Sequence, residues 1–91
     1  MPSNLRSKPI EGYVADSAGN VLRNSQILIK EAAPYGSNIR DSITSDDDGY
    51  FKSKPLPSGS YDIYESGIIV AKTIHNPDKV DIQCYKAHTD N

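Results

Sequence analysis

Short runs in which apolar and polar residues alternate, separated by clusters of Gly, Pro, Asp, Asn and Ser, follow one another from Ile10 to Cys84. Alternation with a period of two puts every second side chain on one face of an extended chain, so each run predicts a strand with one face in a core. In Ile10–Asp16 the shared face is Ile10, Gly12 and Val14, and Ser17–Asn20 supplies turn chemistry. Ser25–Lys30 follows, with the β-branched Ile27 and Ile29 on one face. Ile39–Ser45 and Tyr50–Lys52 flank the turn Asp46-Asp47-Asp48-Gly49 and read as a hairpin. Two prolines in Lys54–Gly59 remove backbone donors and predict a crossing between sheets or around an edge, after which Tyr61 and Ile63 face inward along Ser60–Glu65. Ile68–Ile74 is the most apolar and most β-branched run, which suits a strand covered on both faces, or on one face and by a partner. Beyond Asn76-Pro77-Asp78, the residues Val80, Ile82 and Cys84 alternate along a last strand, and Cys84 reads as a small buried thiol.

Seven short strands with no credible helix predict an all-β, seven-stranded antiparallel Greek-key sandwich of the Ig-like or prealbumin-like kind. The segment Glu31–Asn38 is too short and too interrupted for a stable helix and reads as a loop. Residues 1–9 are polar, with prolines at both ends, and read as an N-terminal arm; 10–85 form the sandwich; 86–91 form a polar tail.

Ninety-one residues suffice for one domain with a single modest core. Six Tyr against one Phe and no Trp point to amphipathic aromatics at strand ends and surfaces. The net charge of −2 and the scattered Lys and Arg argue against nucleic acid as a partner. No apolar run is long enough for a membrane-spanning helix, and Met1–Arg6 lacks a secretory leader, so the expected site of synthesis and assembly is a cytosol.

The spaced pattern Ile10-x-Gly12-x-Val14-x-Asp16-x-x-Gly19, Ile27-x-Ile29, Thr44-x-Asp46-x-Asp48-Gly49-Tyr50-Phe51, Leu56-Pro57-x-Gly59-x-Tyr61 and Gly67 resembles the carboxypeptidase regulatory-like family. The resemblance covers roughly residues 10 to 85 and implies a transthyretin-like sandwich. Each matched position has a structural task. Gly12 admits a facing side chain, Gly19 and Gly49 permit positive φ, Phe51 fills the core, and Tyr61 sends its ring inward while its hydroxyl bonds nearby backbone. Members of the family are mostly non-catalytic modules, appended to carboxypeptidases, outer-membrane transporters, surface adhesins and phage structural proteins. The resemblance therefore implies a structural or protein-docking module of a virion (decoration, neck or baseplate), with an accessory domain of a bacterial surface protein as the alternative setting.

The candidate chemistry is thin. Asp46-Asp47-Asp48 lacks EF-hand spacing and reads as a solvated acidic turn, and His75 and His88 read as surface histidines without a zinc spacing, so no metal or other cofactor is expected. The Tyr-Arg-Gly-Ser ending of transthyretin-like hydrolases is replaced by Lys86–Asn91, which leaves no enzyme expected. Related pilins and adhesins form a Lys–Asn isopeptide bond; Val14 stands where the Lys would be, so no covalent staple is expected. What remains is contact: edge strands or the N-terminal arm meeting other structural proteins, and Tyr13, Tyr35, Tyr50, Tyr64 and Tyr85 as candidate binding residues outside the core. A carbohydrate-binding sandwich is the competing reading, weakened by the absence of Trp.

Overall fold

The computed structural model describes residues 7–32, 38–79 and 82–86. Seven strands carry the architecture: β2 (Glu11–Ala15), β3 (Gln26–Glu31), β4 (Ile39–Thr44), β5 (Tyr50–Lys52), β7 (Gly59–Glu65), β8 (Ile68–His75) and β9 (Gln83–Lys86). Two further two-residue strands, β1 (Ser7–Lys8) and β6 (Leu56–Pro57), pair with each other. The end of the expected arm is thus tied to the proline segment, which both crosses between sheets and pairs. One sheet has the order β5-β2-β9 and the other β4-β3-β7-β8. Their inner faces meet in one cluster of Ile10, Val14, Ile27, Ile29, Phe51, Leu56, Tyr61, Ile63 and Tyr85. The protein is an all-β sandwich.

The turns are built by side chains that compete for backbone donors. Asp16 Oδ1 accepts the N–H groups of Ala18 (3.0 Å) and Asn20 (2.9 Å). Asp46 Oδ1 likewise accepts those of Asp48 (2.8 Å) and Tyr50 (3.0 Å). In each turn the residue three positions on is a glycine with positive φ, Gly19 at 95° and Gly49 at 77°, where a side chain would be strained. The same four-residue device, Asp-x-x-Gly, is used twice. The Asn20 N–H is the main reason the Asp16 carboxyl is held below its ordinary range.

The second of these turns is not a hairpin, however. β4 and β5 lie in different sheets, and β5 pairs antiparallel with β2, Tyr50 opposite Tyr13. The corner is set by buried Ser45, whose hydroxyl donates to the Leu22 carbonyl (2.6 Å) and accepts the Ser25 N–H (3.0 Å). Ser53 does the same at the next corner, accepting the Ile10 N–H (2.9 Å) and donating to the Lys54 carbonyl (2.6 Å). Each serine satisfies polar backbone where the chain leaves a ladder, which a buried apolar residue could not do.

The last strand differs from expectation in two ways. β9 runs parallel to β2, while every other strand pair among the described residues is antiparallel. Its register sets Tyr85 opposite Val14 and Cys84 opposite Tyr13, so Tyr85 enters the core while Cys84 and Ile82 face water. Val80 lies outside the described residues; over 82–86 the predicted alternation is displaced by one residue, which reverses the side chains there. The cause lies across the ladder: a Cβ on Gly12 would stand 2.8 Å from the Tyr85 ring and 2.4 Å from the Gln83 carbonyl oxygen. Gly12 leaves the space, and Tyr85, packed 5.8 Å from Phe51 between ring centroids, fills it.

Candidate functional site

Among the described residues the two main sheets have two outer faces and four outer strands, and the candidate tyrosines do not gather on any one of them. Tyr13 and Tyr50 come together on the outer face of the three-stranded sheet, their ring centroids 5.4 Å apart and the rings tilted by 58°. The Tyr50 hydroxyl donates to the Glu11 carboxylate, and that bond, with smaller help from desolvation, pushes its pKa up to about 12. Tyr64 is half-buried on the outer face of the other sheet, with the Lys30 ammonium 4.6 Å from its ring centre. Tyr85 was expected outside the core and lies inside it, where burial raises its pKa. Tyr35 lies outside the described residues. The five residues are thus not one site.

His75, expected at the surface, is also buried. Its Nε2 donor lies 2.9 Å from the Lys8 carbonyl oxygen and 3.2 Å from that of Leu56, and its ring meets Tyr61 edge-on. It holds the β1–β6 pair against the end of β8. Beside it, a hollow of about 40 Å³ lined by Ile10, Thr73, Gln83 and Tyr85 has room for water and not for a substrate. Among the described residues no group of three His, Cys, Asp or Glu side chains is placed to hold a metal ion. The Asp46 carboxylate is occupied by its own turn.

The edges carry the clearer signal. In the four-stranded sheet the outer strands are β4 and β8. β4 is defended: Arg40 pairs with Glu31, and Asp41 accepts the N–H of Ser42 (2.8 Å) and of Lys54 (2.8 Å). β8 is longer, eight residues, and has Lys72 as its one Lys, Arg, Asp or Glu, with His75 buried at its end. The Lys72 ammonium lies 3.7 Å from Asp62 on β7, so even that charge is partly answered within the sheet. Ile74 is 83% exposed and Ile68 57%. The edges of the other sheet are short, β5 with three residues and β9 with four. Neither Ile68 nor Ile74 was singled out by sequence reasoning, although the apolarity of their run raised cover by a partner as one explanation.

No family model matches the chain, and no curated protein matches it. Among solved structures, a Streptococcal ancillary pilin superposes with a TM-score of 0.65 over 94% of this chain, at 14% sequence identity. This chain spans 31% of that one. At such identity the likeness establishes the fold, a β-sandwich shared with part of a pilin.

Proposed function

We propose that this chain is a non-catalytic structural module that docks on another protein by offering the outer edge of β8 to an extended strand of its partner. The observation that carries this reading is that edge's composition: eight residues, one solvent-facing charge, and two isoleucines more than half exposed. A long apolar edge with unpaired backbone groups is a template for strand addition, and proteins that do not use one blunt it with charge. The β4 edge of the same sheet is blunted in that way.

The setting we propose is a phage particle, in which the domain is an accessory component of the decoration, neck or baseplate. That reading is supported by the resemblance of the Gly12, Asp46–Phe51 and Leu56–Tyr61 motifs to carboxypeptidase regulatory-like modules. A second setting, an accessory domain of a bacterial surface protein, is favoured by the likeness to the ancillary pilin. The sugar-binding reading gains nothing: Tyr13 and Tyr50 are tilted to each other rather than laid flat as a platform.

Amide hydrogen exchange on the free domain and on the assembled particle or surface complex tests the docking. Amides of Ile68–His75 become protected on assembly, while those of Ile39–Thr44 exchange alike in both. Unchanged exchange along β8 rejects the proposal. The purified assembly in which the chain is found, a virion or a cell envelope, separates the two settings.

A further inference from the structure

We propose that the domain is built to bear load along its length, resisting extension when pulled by its two ends. The feature that carries this is the one parallel pairing among the described residues, β2 with β9, between the first and the last of the seven main strands. Tension enters β2 at Glu11 and leaves β9 at Lys86. In a parallel pair these points lie at opposite ends of the ladder, so extension can proceed only by sliding one strand along the other. Every pairing from Gly12 opposite Gln83 to Ala15 opposite Lys86 is then loaded together. An antiparallel pair in that place would put both points at one end and open bond by bond.

Two details oppose the sliding. A shift of one residue would carry Tyr85 out of the core and swing Lys86 toward it, because side chains alternate between faces. Tyr85 is also wedged in the space that Gly12 leaves, against Phe51. β2 is held on its other side by β5, with Glu11, Gly12 and Tyr13 opposite Lys52, Phe51 and Tyr50, and just before β2 Ile10 is bonded on both its N–H and its carbonyl by Ser53. Among the described residues ahead of this clamp, the load path meets the two-residue β1–β6 pair and the His75 contact, which yield first.

The inference does not rest on the docking proposal, and the two can fail separately. Its test is single-molecule force spectroscopy on the full chain carrying Cys84→Ser and Ala18→Cys, pulled in two geometries at one loading rate. In the first, handles sit at the two chain ends; in the second, at residue 18 and the C-terminal end. Residue 18 lies in the turn just past Ala15, beside Lys86, so the second geometry peels the same ladder from one end. Because one sequence is compared with itself, equilibrium stability is the same in both. End-to-end pulling is expected to give one cooperative unfolding event at severalfold higher force than peeling. Equal forces in the two geometries, or a lower force end to end, would overturn the proposal.

Discussion

The two outer strands of the four-stranded sheet face the same problem and meet it differently. β4 spends Arg40 and Asp41 on Glu31, Ser42 and Lys54, and its register shifts where it passes from Ile29 to Lys30 of β3. β8 has a register shift too, near Tyr64 of β7, but the five residues after it run straight to His75 with Lys72 as their one solvent-facing charge. β4 pairs with β3 and β8 with β7, and both lay partly buried residues, Ile43 from β4 and Val70 and Ala71 from β8, against the same core. The difference therefore concerns what lies outside the sheet, and it is what the proposed addition of a partner strand at β8 rests on.

The comparison presumes one cooperative core beneath both edges. Phe51→Ala empties the largest fully buried side chain and should cost about 3–5 kcal/mol. Both edges should lose exchange protection in a single step, which urea unfolding followed by hydrogen exchange would show; separate transitions would mean that the edges belong to different cooperative units. A smaller effect is expected when the protection of β4 is removed. The double variant Arg40→Ser, Asp41→Ser leaves the exposed Lys54 N–H to water and should cost about 0.5–1.5 kcal/mol. It should also raise concentration-dependent association above that of the parent, measured by sedimentation.

The smallest effect sits away from both edges and serves as a control. The folded-state pKa of Tyr50 is raised from 10.0 to about 12, chiefly by its bond to Glu11. A raised pKa in the folded state contributes stability that is present below pH 10 and lost as the pH rises between the two values. Glu11→Gln should bring the phenol's ultraviolet titration down toward its ordinary value while β8 exchange stays unchanged. A titration left where it was would assign the shift to burial instead.

How far residues announce this structure depends on how local the deciding contact is. The Asp-x-x-Gly turns, the vacancy at Gly12, the burial of Phe51, and the Tyr61 hydroxyl donating to the Pro57 carbonyl at 2.7 Å are all legible, because each is settled within a few positions or by one strong preference. The final strand is not. Its residues Val80, Ile82, Cys84 and Tyr85 offer an apolar face in either register, and the choice is made by the gap at Gly12, about seventy positions earlier in the chain. The same holds for the supposed hairpin at Asp46–Gly49: turn chemistry says that the chain reverses, while Ser45 and its bonds to Leu22 and Ser25 decide that it also changes sheet. As for the candidate site, the apolar run Ile68–Ile74 was visible as unusual, but strand order alone makes it an edge.

The outward turn of Cys84 has a practical corollary. Its sulfur stands on a solvent-facing sheet surface beside Tyr13, so a maleimide dye can be attached to the native molecule without opening it. Preparations handled in air without a reductant will also accumulate disulfide-linked pairs, a chemical artefact to be separated from any assembly that the β8 edge supports.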